Sequence, residues 1–224
     1  MNHITQINNL QTVLGDYDFP IDTISMAGTY DDDCETKLVK CHDRMMIVRT
    51  DTMEYLGNHS TAYRPVEHKA IVDPIYEMMQ KVSNQFVPQI TIMQNGAMMK
   101  ATFTCKDITI QDPQLNSYIA FRMTVRNSYN GVWSVMIQAD GLRMFCNNKC
   151  TTPDPVANFR LKHNGHFKYN FQHLKQSVDL FRSNEQRYRE WYRTPVRDED
   201  ADSMFSKLTY TTKPTVDGKY RNET

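Results

Sequence analysis

Residues 118–146 read YIAFRMTVRNSYNGVWSVMIQADGLRMFC, and this stretch decides the fold. Tyr118–Arg126 alternates apolar and polar positions, the period of a half-buried strand. Asn130-Gly131 tolerates positive φ and predicts a tight turn into a second strand, Val132–Gln138. Asp140-Gly141 predicts another turn, into Leu142–Cys146. Upstream, Ile90–Met93, Asn95-Gly96 and Ala97–Ile110 repeat the strand–turn–strand order. Three such dipeptides between strand-like runs predict an antiparallel β-meander.

Helical periodicity brackets the meander. Asp73-Pro74 reads as a helix start, since Asp caps free amides and Pro at the first position has no amide to leave unpaired. Ile75, Met78, Met79, Val82 and Phe86 follow at helical spacing, up to Pro88. A longer helix is predicted over 168–193, ended by Pro195, with Phe167, Phe171, Leu174, Val178, Phe181, Tyr188 and Tyr192 as its apolar stripe. Lys168, Lys175, Arg182 and Arg189 recur every seven residues and form a basic stripe beside it. Near the start, residues 2–14 suit a short amphipathic helix and 15–35 an acidic loop. Lys37–His42 and Met45–Thr50 read as strands about a His42-Asp43-Arg44 turn, with a loop through Gly57–Pro65. The expected fold is α+β: an antiparallel meander flanked by two helices, the C-terminal one long and basic. The expected organisation is an acidic segment (1–36), one domain (37–194) and a polar extension (195–224).

The 224 residues carry 26 basic and 26 acidic side chains, which excludes a uniformly basic nucleic-acid binder. The distribution is uneven. Residues 1–36 hold seven acids and no Lys or Arg, whereas 158–193 hold eight basic and three acidic residues, a net of +5. Forty per cent hydrophobic residues suffice for a core. There is no long apolar run and no basic-then-apolar leader, so neither a membrane span nor a signal peptide is expected. Five cysteines, an odd number, suit reduced thiols in a cytoplasm.

The basic late segment interleaves Arg160, Lys162, Lys168, Lys175, Arg182 and Arg189 with Phe159, Phe167, Tyr169, Phe171, Trp191 and Tyr192. Cations neutralise phosphates and aromatic faces stack bases, the combination single-strand binders use. The same pattern also describes an ordinary packing helix whose basic stems cover the core edge. Arg122, Arg126 and Arg143 on the strands are further candidates, because one face of a sheet can meet nucleic acid. Cys146, Cys150, His163 and His166 approach a zinc-finger spacing, but the histidines are too close and Gly165 interrupts them. Buried thiols and an ordinary histidine pair are the favoured explanation, and no metal site is expected. Asp31-Asp32-Asp33 could hold a divalent cation or be a solvated acidic loop. No nucleotide, nucleophile or metalloprotease motif is present, so no cofactor is expected and an enzyme is disfavoured.

Arg49-Thr50-Asp51-Thr52, Leu56-Gly57, Tyr63-Arg64-Pro65-Val66, Asn127-Ser128-Tyr129-Asn130-Gly131 and Arg143-Met144-Phe145-Cys146-Asn147-Asn148 form a set. With Arg160–His163, the set resembles a phage- and plasmid-borne family of unknown function over roughly residues 44–165. Tyr129 and Asn130 stand where that family favours His and Asp. The resemblance implies an α+β fold and a phage or plasmid setting. It marks Asn127, Gly131, Cys146, Asn148 and His163 as family positions. The element order also resembles, more loosely, the core of phage single-strand annealing recombinases, which implies ATP-independent binding of single-stranded DNA by a homo-oligomer. The function expected from these readings is a cytoplasmic single-stranded-DNA-binding and annealing protein. The alternative is an accessory protein that binds a host or phage protein through its acidic head. Neither reading needs a membrane or a cofactor.

Overall fold

Two antiparallel sheets organise the chain, and within each sheet every strand pairs with the next one in sequence. The structure, a computed structural model, describes residues 17–32, 35–111, 118–144, 151–163 and 169–209. The first sheet joins β1 (Ile21–Asp32), β2 (Glu35–Arg49) and β3 (Glu54–Ser60). Helix α1 (His68–Val82) links it to the second. The second sheet is a five-stranded meander: β4 (Phe86–Met93), β5 (Met98–Gln111), β6 (Tyr118–Ser128), β7 (Val135–Met144) and β8 (Thr151–Leu161). Helix α2 (Phe171–Arg193) and helix α3 (Asp198–Thr209) follow. The fold is therefore α+β, with the meander between α1 and the long α2 in chain order. Among the described residues, no helix is long and apolar enough to cross a membrane.

The meander's core face is built by alternation. Phe103, Cys105, Ile119, Phe121, Met123, Val125, Val135, Ile137 and Ala139 are all buried. Their strand neighbours pair in register, as in Phe103↔Met123 and Val125↔Ile137, so they share one side. Helix α2 covers that side through Phe181, whose ring meets Phe121 edge-on at 5.5 Å. Helix α1 reaches it through Tyr76, which meets Phe86 at 5.3 Å. On α2, Leu174, Ser177, Val178 and Phe181 are buried while Lys175 and Arg182 are exposed, so the two predicted stripes separate as helical geometry requires. A smaller cluster of Phe19, Ile47, Leu56, Ala97 and Tyr129 joins the first sheet to the β4–β5 and β6–β7 turns.

Several local expectations are corrected. The acidic stretch expected as a loop forms β1, which pairs with β2 from Ile21↔Arg49 to Asp32↔Glu35. The His42-Asp43-Arg44 turn is a bulge inside one long strand: Ser25 faces Met45 while Met26 faces Cys41, so the intervening residues are extruded without ending the ladder. Residues 57–60 of the expected Gly57–Pro65 loop belong to β3, the sheet partner of β2. Helix α1 begins at His68, not at Asp73-Pro74, and Pro74 lies within it. An amide of its first turn, His68 N–H, donates instead to Tyr129 Oη at 3.0 Å. That helix ends at Val82, and Pro88 belongs to β4. Asp140-Gly141 is not a turn but lies mid-strand in β7, where the register to β8 shifts. Strand β8 carries Pro153 and Pro155, which an edge strand accommodates because one side of it needs no ladder bonds. Helix α3 replaces part of the expected tail, its start favoured by Asp198, Glu199 and Asp200 at the amide end. The predicted helix over 2–14 lies outside the described residues.

Residues 1–185 and 186–224 form two compact units. Within the second, Arg187 sits over the Trp191 ring at 4.4 Å, and Arg197 pairs with Asp200 at 2.8 Å.

Candidate nucleic-acid interface

The meander's other face is polar and positive. Register aligns Thr91, Lys100, Arg126, Met136 and Arg160 in one row across all five strands. The next row is Gln89, Thr102, Thr124, Gln138 and Asn158. Beyond it lie Thr104, Arg122 and Asp140. Partners across an antiparallel ladder point to the same side, so these side chains share a surface opposite Phe121 and Phe181. Asp140 is the single acid in these rows. It is buried and pairs with Arg122 Nε at 2.8 Å. Its burial raises the carboxyl pKa against the pull of Arg122. The positive charge of Lys100, Arg126 and Arg160 is left without a matching acid in their own row. The Arg126 guanidinium lies 5.6 Å from the Trp133 ring centre, and its Nε is buried without a partner among the described residues.

The sequence candidates divide between elements. Arg122, Arg126 and Arg160 come together on this face. Arg160 is exposed, and so is Lys162, just past the end of β8. Arg143 pairs in register with Ile119, near the far end of β7. Lys175 and Arg182 are exposed on α2. Arg189 is exposed within the second unit. Tyr169, expected to stack on a base, is corrected: it is buried, its ring edge-on to Phe159 at 5.4 Å and beside His173 at 5.3 Å. Lys168, Cys146, Asn148, Cys150 and His166 lie outside the described residues. The metal spacing is thus represented by His163 alone, and no cluster of three or more metal-ligating side chains occurs among the described residues. Asp31 accepts a hydrogen bond from Thr36 Oγ1 at 2.7 Å. Cys41 and Cys105 are free thiols, and burial pushes Cys105 up to about 12, far from a reactive thiolate.

Family-like motifs around Gly57, Tyr63–Val66, Asn127–Gly131 and His163, scattered over a hundred residues of sequence, converge at the β6–β7 end of the meander, whereas Arg143 and Met144 lie at the opposite end of β7 and residues 145–148 lie outside the described residues. Asn127 Nδ2 donates to Val66 O at 2.8 Å and meets His68 Nδ1 at 3.0 Å. His68 Nε2 then donates to Gly96 O at 2.9 Å, which fixes the tautomer. Burial lowers the His68 pKa to about 4, so the ring is neutral. Tyr129 stacks on His68 at 4.3 Å, and its carbonyl takes a hydrogen bond from His59 Nε2 at 2.6 Å. A Cβ at Gly57 would collide with that same carbonyl, so β3 can approach the turn only as glycine. Gly131 holds φ at +79° with His59 below it. Tyr63 stacks on His59 at 3.8 Å with planes 9° apart, and its hydroxyl is hydrogen-bonded to His163 Nδ1. Burial lowers His163 to about 4 and raises the Tyr63 phenol, so both are neutral at pH 7.

These side chains border a pocket of about 340 Å³ between Tyr63, Trp133, Lys162 and His163. A wider hollow of about 740 Å³ lies along β1 and β2, against residues 61–67. Sequence reading missed Lys100, His59, His68 and Trp133. Lys100 stands opposite Arg126, so strand register was the signal that would have found it. The histidines carry no spacing signal, because they meet only through the fold.

No curated protein and no solved structure matches this chain. Residues 55–224 do match a family model. That span starts in β3 and includes the whole meander, and therefore both the basic face and the His68–Asn127–Tyr129 hub. Three quarters of the chain is covered, and the chain belongs to the family described as Domain of unknown function (DUF932).

Proposed function

We propose that this protein binds single-stranded nucleic acid without ATP, along the open face of its meander, and that it holds a strand for annealing. The row Lys100–Arg126–Arg160 is the observation that carries the reading. Strands lie about 4.8 Å apart, so the row spans roughly 14 Å, the length of a few extended nucleotides. Phosphates would contact the three cations, with Lys162 continuing the track. Thr102, Gln138 and Asn158 supply neutral hydrogen-bonding groups that do not repel the backbone. A flat surface leaves the bases facing outward, where a complementary strand can test them. The helix stripe is the weaker candidate in residues up to 185, because Tyr169 and Phe181 are buried and their rings are not presented to a base.

The test is binding of a labelled oligonucleotide over a range of salt. Each lost phosphate contact should lower the slope of log affinity against log salt by about 0.7. Replacing Arg126 and Arg160 by Ala together should therefore lower it by about 1.4, while replacing Lys175 and Arg182 should leave it unchanged. The opposite result moves the site to the helix. Affinity that ignores salt, or no binding at low salt, removes the proposal.

A second reading rests on the paired segments 26–31 and 35–41, which are mostly exposed. They present Tyr30, Leu38 and Val39 at 59–65% exposure. Exposed apolar residues on a strand pair suit a protein partner. A partner that co-purifies through nuclease treatment and is lost from a Tyr30→Ser, Leu38→Ser variant would favour it.

A further inference from the structure

We infer that the pocket between Tyr63, Trp133, Lys162 and His163 takes a single nucleobase with its phosphate. Three independent features point there. The walls are aromatic: Tyr63 and His59 already form a parallel stack, and Trp133 stands across the same pocket. A planar base extends such a stack at little conformational cost. A residue of the pocket wall also carries an unsatisfied polar atom. His163 Nδ1 is occupied by the Tyr63 hydroxyl, yet its Nε2 is buried with no partner among the described residues. A buried imidazole nitrogen without a partner carries a desolvation cost that a ligand atom hydrogen-bonded to it would offset. When Tyr63 donates to Nδ1, the neutral ring presents Nε2–H to an acceptor such as a base carbonyl. When Tyr63 donates to Ser128 O, 3.4 Å away, Nε2 is the acceptor for a base amino group. Finally, Lys162 places a cation at the rim for the attached phosphate. At about 340 Å³ the pocket accommodates one nucleotide, near the lower limit for small-molecule sites.

The pocket adjoins the basic row, because Trp133 also carries the Arg126 guanidinium. A strand lying on that row could turn one base inward at its end. The inference therefore rests on the sheet-face reading for its strand-bound form, although a free mononucleotide offers the same chemistry. Trp133 reports on it directly, since the chain has two tryptophans and Trp191→Phe leaves Trp133 alone.

The experiment uses the full-length Trp191→Phe protein and three ligands: an oligothymidylate, an abasic oligomer of equal length, and thymidine monophosphate. Anisotropy of labelled strands reads binding, and tryptophan emission reads the pocket. The expected result is quenching by oligothymidylate and, at much higher concentration, saturable quenching by the mononucleotide. The abasic strand should bind with similar salt dependence, about five- to one-hundred-fold more weakly, and leave emission unchanged. Equal quenching by the abasic strand overturns the pocket and leaves the sheet reading intact. So does strand binding with no change in emission. Quenching by the mononucleotide without strand binding overturns the sheet reading and keeps the pocket. No response to any ligand overturns both. His163→Gln, which keeps a polar side chain of similar reach, should weaken oligothymidylate binding while leaving abasic binding alone; a parallel loss of both would mark His163 as structural.

Discussion

The meander has two faces cut from the same strands, and neighbouring residues show how different they are. Phe121 points into the helix-covered side and is fully buried against Phe181. Arg122, the next residue, points the other way and is held by Asp140. One side is stabilised by apolar area withdrawn from water. The other consists of charged and amide side chains whose stems shield the buried Thr124 and Asp140 at its centre. The covered side fixes the geometry of the sheet, and the polar side carries its charged rows.

That contrast breaks most sharply at Phe121. Phe121→Ala removes a ring from the covered side and leaves a cavity, so it should cost about 3–5 kcal/mol in urea unfolding. A loss near 1 kcal/mol would mean that α2 does not close that face. The covered side also ends in a polar hub, and there pH is the lever. His68 is neutral in the fold, with its pKa lowered from 6.5 to about 4. Between those values the unfolded chain binds a proton that the native chain refuses, so stability falls as pH drops from about 6.5 to about 4. The loss is of the order of 3 kcal/mol. His163, lowered in the same way, adds its own loss over that window, so His68→Phe should reduce the pH dependence without abolishing it, and a dependence unchanged in this variant would contradict a neutral His68.

How much of this the sequence reveals depends on the range of the interaction. The stripes of α2 are local, since every contact repeats within seven residues, and Leu174, Val178, Phe181 and the exposed Lys175 and Arg182 fall where periodicity predicts. The meander is also legible, because Asn95-Gly96 and Asn130-Gly131 lie between its strands, with Gly96 and Gly131 at positive φ. Asp140-Gly141 misleads for a tertiary reason: the Asp140 side chain is claimed by Arg122 on the neighbouring strand, and the chain runs straight through. The acidic β1 is invisible because its partner, β2, is interrupted by a bulge that reads as a turn. The basic row is invisible for a simpler reason. Lys100, Arg126 and Arg160 are 26 and 34 residues apart, and only register makes them neighbours.

Arg122 sharpens the comparison, because it separates charges that serve the fold from charges free to serve a ligand. Its guanidinium is mostly covered and satisfies a carboxylate that is itself buried. Arg160 has no such role and is exposed. Arg122→Ala strands Asp140 without its cation, so it should cost about 2 kcal/mol at pH 7, while Arg160→Ala stays within about 0.5 kcal/mol. The sign of the pH dependence follows from Asp140. Burial already raises its pKa, and removing Arg122 removes the strongest opposing pull. The variant's folded pKa therefore rises further above the unfolded value, and the stability it retains is greatest at low pH and is lost as pH increases. The difference between variant and wild type should narrow when unfolding is measured at progressively lower pH. A constant difference would mean that Asp140 stays charged without Arg122, held by Lys100 and Arg126 instead, and the row assigned to phosphate would then be partly occupied in maintaining the sheet.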